Sequence, residues 1–243
     1  MGTKHRTGHD RRSSRHKRNR APRGWTTQVF EGPPAGPGAV SASLEEVLAA
    51  MDDVPEGLEW SALADQVVPI FQRVRPYPPG MPEQVRVVVP PGLSIGFGVD
   101  IGPAFLNVSP EMLEGWGRTA DQVLRRALQN LESRMDGVSP DDLFDGSIGE
   151  VPIRALQSPT GSASTYVLRP VALGRIFGAH PQLLIAPMRN LLISMPVGAD
   201  RAMAAWIFEE FAAQDPNCLA PAAFLVGDGV LEVESLGDPF GSA

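Results

Sequence analysis

The chain has 243 residues, enough for one sizeable domain or two small ones, with 43% hydrophobic and 20% charged residues, the balance of an ordinary globular protein. Its formal charge of −7 hides a split. Met1–Gly24 carries nine Lys/Arg against one acid, Asp10, and the remainder carries 12 basic and 27 acidic residues. So acidic a body repels a phosphate backbone, and any nucleic-acid contact must come from the N-terminal stretch. A single cysteine, Cys218, excludes an intrachain disulfide scaffold.

The basic opening "KHRTGHDRRSSRHKRNR" has no apolar run behind it, so it does not read as a signal peptide. Arg6 stands where a myristoylation motif needs Ser or Thr, and Thr3–Arg20 has no aliphatic or aromatic residue with which to build an amphipathic helix. Residues 1–24 cannot bury a core and are expected to be disordered. Lys4, Arg6, Arg11, Arg12, Arg15, Lys17, Arg18 and Arg20 are its candidate nucleic-acid contacts. No aromatic is present among them to stack on a base, so binding would be to phosphates alone and steeply salt-dependent. Residues 25–42 read as a Pro/Gly linker with Trp25 and Phe30 as anchor points, and the Pro34/Pro37 spacing is better read as a spacer than as an SH3 ligand.

A single α+β domain is expected over 43–243, with 43–75 as its helical N-terminal part. Ser43 and Glu46 form a capping box that opens the first helix, and a second helix is predicted from Ser61 to Arg75. The period then changes to two. "QVRVVVP", "LSIGFGVD" and "AFLNV" read as strands. Ser109-Pro110 starts a short helix to about Gly115, and Thr119 with Gln122 caps the strongest helix in the chain. The apolar stripe of that helix is Val123, Leu124, Ala127, Leu128, Leu131 and Met135. "DGVSPDDLFDGS" is a polar loop, "VPIRAL" and "STYVLRP" are strands, and "PVALGRIFG" is a helix ending at Gly178. "QLLIAP" and "NLLISMP" are near-continuous apolar strands joined by a tight turn. An amphipathic helix follows, with Met203, Trp206, Ile207 and Phe211 inward, and a hairpin turns at Asp228-Gly229. Hairpins with interspersed helices imply α+β, a mixed or antiparallel sheet packed with helices.

The motifs that carry chemistry are few. "GFGVDIG" has the spacing G-x-G-x-x-x-G and runs on into Pro103 and a strand, so a tight β-turn is preferred over a phosphate loop. Asp141, Asp142 and Asp145 cluster, but Leu143 occupies a ligand slot of the EF-hand pattern, which leaves a solvated acidic loop. His180 is the one histidine outside the basic stretch, and with no Cys/His partner at ligand spacing no zinc site is expected. It is also the one imidazole that could serve Cys218, for which a structural thiol is the simpler reading. No G-x-S-x-G, P-loop or H-E-x-x-H is present.

Two longer stretches, "FLNVSPEMLEGWGRTADQVLRRALQNL" and "LLIAPMRNLLISMPVGADRAMAAWIFEEF", followed by "VGDGVLEVE", are similar in order to the YtpQ-like family of uncharacterised bacterial proteins. The resemblance covers about residues 85–234 and implies an intracellular α+β protein without an assigned reaction. Asn190 stands where an acid is expected after the turn arginine, Arg189, which puts an ion pair across that turn in doubt. For Arg189, hydrogen bonds to nearby carbonyls outweigh a ligand role.

The sequence thus points to a cytoplasmic, non-enzymatic protein-interaction or regulatory module with an unknown protein partner, no cofactor, no metal and no membrane span. The second reading is a nucleic-acid-associated protein acting through its basic stretch. The third is an enzyme of unrecognised type, with Asp100, Asn130, Arg189 and Asn190 as the candidate polar site.

Overall fold

The computed structural model describes residues 59–74, 83–89, 92–102, 104–158, 161–212 and 218–237, with four isolated helical positions at 46, 49, 50 and 52. The basic stretch, the linker and the Ser43 cap lie outside the described residues. Glu59 opens a one-turn helix, α1 (Trp60–Leu63), and the chain then goes straight into strand β1 (Val67–Arg73). This corrects the helix expected from Ser61 to Arg75. Its apolar spacing imitates a helical stripe, but Pro69 removes a donor that a helix interior needs. An edge strand tolerates that loss, and β1 is an edge.

β1 pairs along its whole length with β3 (Leu93–Asp100) in antiparallel register, Val67 opposite Val99 and Arg73 opposite Leu93. The other side of β3 is shared by β2 (Arg86–Val89) and β4 (Phe105–Asn107). Gly96 and Gly98 belong to β3, not to the tight turn expected for "GFGVDIG". An ideal Cβ on Gly98 would sit 3.1 Å from the Phe105 Cβ and 3.2 Å from the Ile70 Cγ2, so glycine lets the flanking strands' side chains close over the sheet.

Two helices follow. Ser109 caps α2 (Pro110–Trp116) by accepting from the Met112 N–H, and Gly117, at φ 60°, ends it in the left-handed conformation. The Ser109 hydroxyl and the Glu111 backbone N–H hold the exposed Glu111 carboxyl below its ordinary value of 4.5. A depressed carboxyl favours the fold above its unfolded value and loses that contribution as pH falls through the folded one. Ser109→Ala is therefore expected to move the Glu111 titration up toward 4.5, which carboxyl carbon shifts followed by NMR would read. Helix α3 (Ala120–Met135) begins with the expected capping box of Thr119 and Gln122. Val123, Ala127, Leu131 and Met135 are buried at four-residue spacing, while Leu124 and Leu128 are only partly covered.

The second sheet has six strands in the order β10-β9-β7-β8-β6-β5, and every recorded pairing in both sheets is antiparallel. Its strands are β5 (Phe144–Ile148), β6 (Val151–Gln157), β7 (Gln182–Met188), β8 (Leu191–Pro196), β9 (Ala222–Gly227) and β10 (Val230–Ser235). Part of the expected polar loop is thus strand β5. "STYVLRP" is also corrected: Ala163–Leu168 is a 3₁₀ helix, in which the Thr165 hydroxyl donates to the Ser162 carbonyl at 2.8 Å. Such side-chain to backbone bonding competes with strand pairing. Helix α4 (Pro170–Phe177) ends at Gly178 as expected, and α5 (Arg201–Ala212) lies between β8 and β9 in the chain.

The apolar runs of β7 and β8 are buried on both faces. Leu184, Ala186 and Leu192 enter a central core shared with α3, α4, Phe71 and Leu93, whereas Leu183, Ile185 and Ile193 face Met203 and Ile207 of α5. Phe71 of β1 stacks on Phe224 of β9, ring centroids 5.7 Å apart and planes 1° from parallel. The architecture is therefore α+β: two antiparallel sheets joined through a common core, with helices on both. Among the described residues no helix is long and apolar enough to cross a membrane.

Candidate functional site

The four polar residues singled out from sequence fall in two pairs, Asp100 with Asn130 at β3 and α3, and Arg189 with Asn190 between β7 and β8. Asp100 closes β3, where its Oδ1 accepts from the Gly102 N–H at 2.8 Å and its Oδ2 lies 2.7 Å from the Arg134 Nη1. That contact is an ion pair whose N–H is not aimed along the line to the oxygen. Asn130, one turn earlier on α3, donates both amide hydrogens, to the Ala64 carbonyl at 2.7 Å and the Val67 carbonyl at 2.8 Å. Asp100 and Asn130 thus fasten α3 to the ends of β3 and β1. Arg189 and Asn190 form the β7–β8 turn of the other sheet. Their carbonyls accept from Ser164 N–H at 2.9 Å and Ser158 N–H at 2.8 Å, which moors the segment leading into the 3₁₀ helix. The eight basic residues from Lys4 to Arg20 lie outside the described residues.

Cys218 and His180 are not neighbours. Leu219 N–H donates to the Pro187 carbonyl near the end of β7, while His180 precedes the start of that strand at Gln182. The five residue steps between them span roughly 16 Å of extended chain. Among the described residues no group of three or more His, Cys, Asp or Glu is placed to hold a metal ion.

The structure instead opens a cavity of about 310 Å³ between α4 and the β9–β10 hairpin. Its walls are apolar: Leu173 and Phe177 from α4, Leu184 from β7 and Val226 from β9, all buried. The C-terminal end of α4 forms one side and is firmly tied. The Phe177 carbonyl accepts from Arg154 Nη1 at 3.1 Å and from Gln182 Nε2 at 2.9 Å, and Gln182 also donates to the Gly178 carbonyl. These bonds satisfy carbonyls that a helix end leaves without partners. The Gln182 Oε1 in turn accepts from the Ser194 hydroxyl, so this amide is fully occupied as a brace. The opposite side is the hairpin turn, where Asp228 (φ 51°) and Gly229 (φ 75°) make the expected two-residue loop. A Cβ on Gly229 would stand 3.3 Å from the Val171 Cγ2, so the turn rests against the first turn of α4.

Comparison of the chain with family models, curated proteins and solved structures yields no match. Two ionisable side chains line the cavity, His180 and Asp228, and among the described residues neither makes a hydrogen bond or an ion pair. Both lie at the exposed rim. Beside them the lining is apolar and open: Val171 is 77% exposed. Among the described residues no hydroxyl, thiol or amine nucleophile lines the cavity. What the arrangement can do is accept an apolar group and hold a polar one at its mouth. Sequence reasoning saw Asp228-Gly229 as turn chemistry and weighed His180 only as a metal ligand or base. The long-range pairing of β7 with β9, Gln182 opposite Val226, brings the two residues to one rim and left no local signal.

Proposed function

We propose that this chain is a non-enzymatic protein-interaction or regulatory module, acting in the cytoplasm, and that it contacts its partner through the cleft between α4 and the β9–β10 hairpin. One observation carries the reading: the exposed Val171 stands at the edge of a cavity with apolar walls, whose ionisable groups among the described residues lie at its rim. A cavity of about 310 Å³ is at the small end of the range of ligand clefts, roughly 300–1,000 Å³. Among the described residues no free polar side chain reaches its depth to orient a metabolite, since Gln182 is already occupied. A shallow pocket in an apolar rim is instead the form in which a side chain of another protein is anchored. Kinship with the YtpQ-like proteins is part of this proposal and rests on the order of elements over about residues 85–234.

Affinity capture from native lysate tests the reading, using the full chain and its Val171→Glu variant, each with and without nuclease and at low and high salt. Val171 is so exposed that the substitution should leave the fold intact. The expected result is a protein that survives nuclease and high salt and falls at least about tenfold with Val171→Glu. Material that disappears with nuclease or salt and ignores Val171→Glu would move the function to the basic residues from Lys4 to Arg20 and to phosphate binding.

A further inference from the structure

Granting the interaction reading above, we infer that the cavity takes a lysine or arginine side chain of the partner, its hydrocarbon stem against the walls and its cationic end at Asp228. Among the described residues the lining contains one carboxylate and no Lys or Arg. Cations on the surrounding elements are already committed. Arg154 pairs with Asp145 at 2.9 Å, Arg175 with Asp136 at 3.0 Å, and Arg169 with Glu132. Among the described residues Asp228 is therefore the uncompensated charge at this mouth, and a negative rim above an apolar wall selects a cation over a neutral or anionic group.

The walls suit the rest of such a side chain. Lys and Arg bury three or four methylenes along apolar surface while keeping the charged end in water. Val171, Leu173, Phe177, Leu184 and Val226 offer that surface, and Asp228, exposed at the turn, offers the charge where water still reaches. The His180 imidazole, unpaired on the same rim, has a ring nitrogen free to accept a second N–H when it is neutral.

Asp228 also permits a clean control. Its positive φ is one that Asn adopts as readily, so Asp228→Asn removes the charge and leaves the turn in place. The probes are n-butylamine, n-butanol and butanoate, titrated into the ¹⁵N-labelled full chain while the amide signals of Gly178, Ala179, Asp228 and Gly229 are followed. The amine should move these signals at about fivefold lower concentration than the alcohol, with butanoate weakest, and Asp228→Asn should abolish the amine's advantage without changing the alcohol. Equal response to amine and alcohol, or an advantage that survives Asp228→Asn, would overturn the inference. So would failure of all three probes to move the signals. Failure of the interaction reading shows separately, as capture that ignores Val171→Glu.

Discussion

Phe224→Ala is expected to lower the stability of the folded chain by about 3–5 kcal/mol, the range for truncating a buried aromatic ring. Phe224 is 2% exposed and stands on β9 where the two sheets meet. Its ring lies flat against Phe71 of β1, and the same cluster holds Leu184, Leu192 and Leu131. Removing it creates a cavity lined by parts that belong to different sheets, and strands held by ladder hydrogen bonds collapse into such a space poorly. Urea unfolding followed by tryptophan fluorescence gives the change. Val87→Ala is the control: that side chain is 67% exposed, and its loss should shift stability by no more than about 0.5 kcal/mol. A cost near 1 kcal/mol for Phe224→Ala would mean that the sheets are not held together through this contact.

The residues of this core were readable in the sequence more easily than the elements that carry them. β3, β7, β8, the β9–β10 hairpin, α3 and α5 declare themselves through periodicity, caps and turn residues. β1 did not, because a strand buried from Val67 to Phe71 shows no alternation, and its apolar positions also satisfy a helical spacing. Pro69 was the local clue against a helix. The Ala163–Leu168 segment misleads in the opposite direction: Thr, Tyr and Val favour strands, but burial under neighbouring elements and the Thr165–Ser162 bond bend it into a 3₁₀ helix. β5 was hidden by its polar composition, as an edge strand paired only with β6 needs no apolar alternation.

The site was less legible still, for a related reason. Asp100, Asn130, Arg189 and Asn190 attracted attention as polar residues among apolar neighbours, yet polar groups in such surroundings first have backbone to satisfy. Asn130 shows this most plainly, and Arg189 and Asn190 contribute through their carbonyls to the mooring of the next segment. His180 and Asp228, which are unengaged, lie 48 positions apart in sequence and come to one rim because β7 and β9 pair antiparallel with Gln182 opposite Val226, which sets the residues just beyond both strands side by side. Asn130, its amide spent on two carbonyls, is a poor candidate for a ligand, and this distinction is a property of the fold.

Asn130→Asp is accordingly expected to destabilise the chain more than Asn130→Ala. In the native arrangement one amide group bridges two carbonyls, Ala64 at the end of the short helix and Val67 at the start of β1. Alanine leaves both acceptors without that donor, a loss of about 1–3 kcal/mol for partly buried groups. Aspartate has almost the same shape but turns an oxygen toward two oxygens, adding repulsion and the cost of holding a carboxylate away from water. The order of the two variants is therefore the informative result. Asn130→Asp should unfold at lower urea than Asn130→Ala at neutral pH, and acidification to protonate the new carboxyl should narrow the gap by restoring a donor. A polar residue kept for a ligand would behave differently: neither substitution would move the unfolding midpoint by much, and aspartate, the closer isostere, would be the milder. Reversal of the order would return Asn130 to the list of functional candidates, and with it the end of β3 where Asp100 and Arg134 meet.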